Sequence, residues 1–160
     1  MTILFALALS IGTLAVVATW VFLGPLAALQ VQIWQAFIAW AAFYHCGGKG
    51  VGFKNTLTGM IFGAAVGALS VMLAGQMGAL GSFSAPVAVG IGAAAIVLAA
   101  HIPLLSTIPA SVYGFASVAG LILLKGLSPV DALLPTIISI LLGAGFGWLS
   151  ESLGGKMAKA

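Results

Sequence analysis

The chain has 160 residues, 62% of them hydrophobic and only 4% charged: five lysines, Asp131 and Glu151. A soluble domain carries about 25% charged residues, so this composition excludes a soluble enzyme and a disordered chain. A net charge of +3 is too sparse for the basic patch of a nucleic-acid binder. What remains is an all-α integral membrane protein, a single transmembrane domain over residues 1–160 whose first partner is the lipid bilayer.

No charged side chain precedes Lys49, falls between Lys54 and Lys125, or falls between Asp131 and Glu151. A spanning helix takes about 20 apolar residues, so these gaps hold two, three and one spans. Six are predicted, at about 2–23, 31–46, 55–75, 84–100, 104–124 and 131–150. Turn residues punctuate them: Gly24-Pro25, Gly47-Gly48-Lys49-Gly50, Gly75 to Gly81 with Pro86, His101 with Pro103, and Gly126-Leu127-Ser128-Pro129. Ser128 to Asp131 reads as a helix start, with proline in the first turn and a carboxylate near the positive helix end. Hydrophobicity is continuous rather than alternating, which excludes a transmembrane barrel and leaves a six-span helical bundle.

Lysine placement sets the expected topology. With both termini cytoplasmic, Lys49, Lys54, Lys156 and Lys159 lie inside and Lys125 alone outside. The first span lacks a basic leader and runs on into Trp20 and Phe22, so it is expected to be retained rather than cleaved. The single cysteine, Cys46, forms no intrachain disulfide.

Offsetting the sequence by 80 aligns Thr56–Ser70 with Thr136–Ser150, with identities at six of 15 positions. An offset of 78 pairs Pro25-Leu26 with Pro103-Leu104 and Phe37 with Phe115. Two three-span units, about 1–76 and 82–153, are therefore expected to form inverted repeats, since an odd number of crossings flips the second copy. That architecture is frequent in transporters and channels, with the pathway near the midplane where the repeats meet. Gly59, Gly63 and Gly67, and again Gly143 and Gly147, recur every four residues. Such rows let helix backbones approach closely, in the bundle or at a homo-oligomer seam.

Two segments stand out as a candidate pathway. The second span carries Trp34, Phe37, Trp40, Phe43 and Tyr44 at steps that put most on one helical face, with Gln30, Gln32 and Gln35 at its start. The fifth mixes Thr107, Pro109, Ser111, Tyr113, Gly114 and Phe115. Proline and glycine at membrane depth predict an interrupted helix whose freed backbone groups need partners or a wet cavity. The candidate pathway residues are Trp34, Phe37, Trp40, Thr107, Pro109, Ser111, Tyr113 and Phe115. The alternative for the aromatics is an interfacial belt, and for the glutamines a place in the loop.

No Asp, Glu, Lys or Arg lies centrally in a span, which disfavours a carboxylate proton relay. His45-Cys46 offers two adjacent ligands with no third nearby, too few for a metal site. His101 reads either as a pH-sensitive pore residue or as an interfacial one. Gly47 to Gly52 does not make a phosphate loop, because Gly50 stands where Ser or Thr is required and no strand precedes it. No cofactor, metal or catalytic set is expected.

The stretch Trp34–Phe43 (WQAFIAWAAF), the following Gly47-Gly48-Lys49-Gly50, and Ile108–Ala116 (IPASVYGFA) resemble bacterial inner-membrane proteins of the domain-of-unknown-function family 1097. The resemblance covers about residues 2–153. It implies a small multi-pass protein of the bacterial cytoplasmic membrane and transfers no activity. A weaker likeness joins Ile102–Pro109 (IPLLSTIP) to one half of a urea transporter, and implies small neutral amides. The expected function is a passive channel or facilitator for a small neutral polar solute, of the urea, short amide or ammonia class. The alternative is a non-transporting membrane protein that assembles with a partner subunit.

Overall fold

A computed structural model describes residues 1–159. Six α-helices follow one another: α1 Ile3–Leu23, α2 Ile33–His45, α3 Lys49–Gln76, α4 Ser84–Ala99, α5 Ile108–Lys125 and α6 Pro129–Lys159. Short 3-10 turns at Ala27–Leu29, Gly78–Phe83 and Pro103–Leu105 precede α2, α4 and α5. There is no strand among the described residues.

Five helical segments are long and apolar enough to cross a bilayer. The expected second span is not among them: α2 has 13 residues and reaches about 20 Å against the ~30 Å of a hydrocarbon core. The physical reason is a tertiary contact. The Gln32 backbone N–H donates to Ser139 Oγ of α6 at 3.0 Å, which holds Gln32 extended and starts α2 well below the end of the bundle. α5 is shorter than its predicted span for a related reason, since Pro103–Leu105 form a separate turn and the helix starts at Ile108. Pro109 sits in the first turn of α5, where its missing N–H costs nothing, so it begins the helix instead of interrupting it. α3 and α6 outrun their predicted spans because Lys49, Lys54, Lys156 and Lys159 lie on helical turns that continue past the apolar stretch.

Two long helices cross at the centre, each with a short helix alongside. α3 packs along α5 and α6 along α2, while α1 lies on the outer side of α6 and α4 on that of α3. The glycine rows make these seams. A Cβ on Gly59 would meet Ala110, one on Gly63 the Ser111 carbonyl, and one on Gly67 Phe115 and Val118. On the other side Gly143 faces the Ala36 carbonyl and Gly147 faces Phe43. All five lie inside one chain, so an oligomer would have to form through other surfaces. Gly114, on the backbone of Met60, completes the set.

The contacts also fix direction. Residues 59, 63 and 67 of α3 meet successively later residues of α5, so these helices are parallel, and the same holds for α6 with α2. Successive helices alternate in direction, which brings the start of α1, the α2–α3 turn and the end of α6 to one end. That end carries Lys49, Lys54, Lys156 and Lys159, and the opposite end carries Lys125. At the lysine-rich end Gly47 and Gly48 take positive φ (96° and 65°) to turn from α2 into α3. Glu151 of α6 fastens that turn: its Oε2 accepts the Lys49 N–H at 2.7 Å, a carboxylate on a positive helix start. At the other end Ser128 caps α6 as expected, its Oγ accepting the Asp131 N–H (3.1 Å) and donating to Asp131 Oδ2 (2.7 Å).

Candidate functional site

The centre of a membrane bundle has no water to satisfy polar groups, so every polar atom there costs free energy unless paired. Among the residues fully shielded in this core are Gln35, Thr56, Ser111, Ser117, Thr136 and Ser139. Gln35 enters from the first turn of α2. Its Nε2 donates to the Ser117 carbonyl of α5 (2.8 Å) and to Thr136 Oγ1 of α6 (3.0 Å). Gln35 Oε1 and Ser117 Oγ are left without a hydrogen-bond partner. These three residues form one polar layer in the half of the bundle away from the lysine-rich end.

Towards the lysine-rich end lies a second, smaller set. Thr56 is on α3 one turn from Gly59, which packs on Ala110 of α5, and Ser111 follows Ala110. Thr56 Oγ1 and Ser111 Oγ are both buried and unpaired. Successive turns of α3 read Thr56, Met60, Ala64, and those of the antiparallel α6 read Thr136, Ile140, Ala144. Fully buried Met60 and Ile140 thus lie between Thr56 and the Gln35 layer, with Ser111 level with Met60, since Gly59 and Gly63 on either side of Met60 both meet it. Outside the Gln35 layer a cavity of about 380 Å³ opens at the end opposite the lysines, lined by Ala28, Gln30, Asp131, Leu134 and Pro135 among others. Pro135, on its inner side, immediately precedes Thr136 in α6.

The sequence-predicted pathway residues do not form one surface. Ser111 joins the second polar layer. Trp40 is buried, stacks on Phe146 (centroids 5.7 Å apart) and donates from Nε1 to Ser150 Oγ at 3.0 Å. Tyr44 shares that hydroxyl at 2.8 Å. Phe37 is 40% exposed on the outside of α2. Trp34 covers Gly120 of α5, and Phe115 lies between Gly67 and Gly92. Tyr113 OH meets His45 Nδ1 at 2.9 Å near the lysine-rich end. Thr107 and Pro109 occupy the start of α5, with Pro109 exposed. Phe37 and Phe115, paired by an offset of 78 in the sequence, are not packing equivalents. The glycine contacts relate α2 to α5 by 75, from Ala36 to Ser111, which matches Trp40 with Phe115.

Gln35, Ser117 and Thr136 are absent from the predicted pathway. The signal that could have found them is present: Thr56 and Thr136 open the aligned segments of the two halves, and Gln35 is an amide inside an aromatic apolar run. Cys46 is free and half-buried and His101 is exposed. The described residues contain no group of three His, Cys, Asp or Glu side chains placed to hold a metal ion.

No curated protein and no solved structure matches the chain. The family described as "Protein of unknown function (DUF1097)" matches residues 8–155. The chain, a bundle of apolar membrane-type helices with a polar centre, belongs to that family.

Proposed function

We propose that the chain is a passive channel or facilitator for a small neutral polar solute, of the urea, short amide or ammonia class, built from two inverted three-helix repeats. The observation that carries this reading is the set of four buried, unpaired polar atoms, Gln35 Oε1, Ser117 Oγ, Thr56 Oγ1 and Ser111 Oγ. Each unpaired buried group costs about 1–3 kcal/mol, and a plain structural bundle gains nothing by keeping them. A solute from the vestibule at Asp131 would meet the Gln35 carbonyl as acceptor and the Ser117 hydroxyl as donor. It would pass Met60 and Ile140 by shedding water, with the Ser111 hydroxyl beside Met60, and regain a hydrogen bond at Thr56. Paired partners on either side of an apolar constriction are a means of selection by desolvation. The absence of a charged side chain between Lys54 and Lys125 fits passive movement of a neutral species.

Support for the repeat comes from packing: α3 on α5 matches α6 on α2, and α4 on α3 matches α1 on α6. The excess of lysines at one end supports a cytoplasmic-membrane protein, bacterial by its sequence resemblance, with both termini in the cytoplasm.

A second reading, a non-transporting membrane protein that binds a partner subunit, is favoured by the same seams. Between the polar layers the helices touch backbone to backbone at Gly63, Gly114 and Gly143, so the halves must part for anything to pass. Stopped-flow light scattering on proteoliposomes separates the two. Faster re-swelling than empty liposomes in urea and acetamide, with sucrose unaffected, is expected for a facilitator. Rates equal to empty liposomes for every solute, with folded protein, would leave the partner reading.

A further inference from the structure

The lysine-rich end holds a groove of about 680 Å³ between α1, the α2–α3 turn and α6. Its polar lining includes Lys49, Lys156, Lys159, Tyr44 and Glu151, and its apolar side is Ile3, Leu7 and Trp148. Among the described residues three exposed lysines thus line the groove with one carboxylate, and that carboxylate already accepts the Lys49 backbone N–H. The groove does not stop there. Tyr44 also lines a second depression of about 250 Å³ with Ile11, Ala15, Phe37 and Trp40. Ala15 in turn lines a third of about 640 Å³ with Val16, Thr19, Trp20 and Leu23. On α1 the stripe Ile3, Leu7, Ile11, Ala15, Thr19, one residue per turn, runs along all three.

The result is a strip on the outside of the bundle with cations at one end and a long apolar track behind them. The other half lacks most of this equipment, having Lys125 alone beside its α5–α6 turn. At the offset of 80 that aligns the long helices, α3 carries Ala68 where α6 has Trp148, and Gln76 where it has Lys156. At the offset of 75 that aligns the short ones, Ala119 stands where α2 has Tyr44. A feature confined to one of two similarly packed halves is not a requirement of the packing.

We propose that this strip is a binding site for an anionic phospholipid from the leaflet at the lysine-rich end. Its phosphate would lie among Lys49, Lys156 and Lys159, and an acyl chain would run down the Ile11–Ala15–Phe37–Trp40 depression. The chemistry fits this occupant. Lysines at the membrane surface attract anionic headgroups, each by roughly a fivefold gain in association. Tyr44 and Trp148 have the amphipathic character of residues at headgroup level. A soluble anion would use the lysines but has no need of the track. The exposure of Phe37, unexplained by a central pathway, follows from its place beside the chain.

The test uses the full-length protein in phosphatidylcholine vesicles, titrated with phosphatidylglycerol or phosphatidylcholine bearing brominated chains. Quenching of the tryptophans, of which Trp20, Trp40 and Trp148 border the strip, reports occupancy. Phosphatidylglycerol should associate at least about fivefold more strongly than phosphatidylcholine. The triple change Lys49→Gln, Lys156→Gln, Lys159→Gln, which keeps the Lys49 backbone N–H and alters only exposed side chains, should bring the two lipids level. Ala15→Phe, which fills the track and leaves the lysines in place, should weaken quenching by phosphatidylglycerol. Equal quenching by the two lipids, or a preference that survives the triple change, would overturn the proposal. So would displacement of the lipid by inorganic phosphate, beyond that by chloride of equal ionic strength, with Ala15→Phe inert. That last outcome would make it a site for a free anion.

Discussion

Where α3 meets α5, Gly63 lies on the backbone of Ser111; where α6 meets α2, Gly143 lies on the backbone of Ala36. The same small residues at the same helical turn build both seams, and Ala6 and Ala88 are each fully buried on the outer helices α1 and α4. Thr56 and Thr136 follow this likeness, but other polar groups do not. Gln35 on α2 stands where α5 has Ala110, and the hydroxyl of Ser150 gathers Trp40 and Tyr44 while that of Ser70 bonds only back to the Val66 carbonyl of its own helix. The small residues the halves share specify how the helices pack. The polar residues they do not share, Gln35 among them, are not required by that packing.

The largest effects are expected at the seams. Gly63→Leu and Gly143→Leu should each abolish the folded bundle, because the added side chain has only backbone to enter. Even alanine should cost about 1–3 kcal/mol at either position through overpacking. Thermal unfolding in detergent checks this, and similar losses at the two sites are the outcome that keeps the halves equivalent in packing. A marked inequality would break the comparison.

Next come groups found in one half only. Trp40→Phe keeps the ring on Phe146 but removes the Nε1–H donated to Ser150. It should destabilise by about 1 kcal/mol, the net value of a hydrogen bond, and Phe115→Leu on the other side should show no such polar loss. Ser128→Ala removes the cap of α6 and should cost about 0.5–2 kcal/mol by the same assay. The smallest effect is expected at Phe37→Ala: Phe37 faces outwards, so stability should change by less than about 0.5 kcal/mol, as for a surface position. A loss like that of a core aromatic would place Phe37 in a contact the fold does not contain.

Much of this architecture was legible in the sequence. Charge-free intervals and turn residues located six helices, and Ser128-Pro129-Val130-Asp131 marked the start of α6 correctly. The glycine rows announced close seams. What the pattern missed has a common cause: in a bilayer both the lipid face and the core are apolar, so periodicity cannot tell which side of α2 turns inwards. Phe37 and Trp40, one turn apart, therefore looked alike, yet one is exposed on the outside of α2 and the other meets Ser150. The shortness of α2 depends on Ser139, more than a hundred positions along the chain, capturing the Gln32 N–H. Pro109 was read as an interruption because its effect depends on whether helix precedes it, and none does.

The polar centre separates stability from function most cleanly at Gln35. Gln35→Leu removes an unpaired carbonyl along with two hydrogen bonds but leaves the buried Thr136 Oγ1 without a partner, so any loss of stability should stay within about 3 kcal/mol. The decisive measurement is the urea permeability of proteoliposomes containing this variant, set against the parent protein and empty vesicles at matched amounts of folded protein. The account predicts that the parent accelerates urea entry and that Gln35→Leu returns it towards the empty-vesicle rate. A variant that conducts urea as fast as the parent would contradict a pathway through the Gln35 layer.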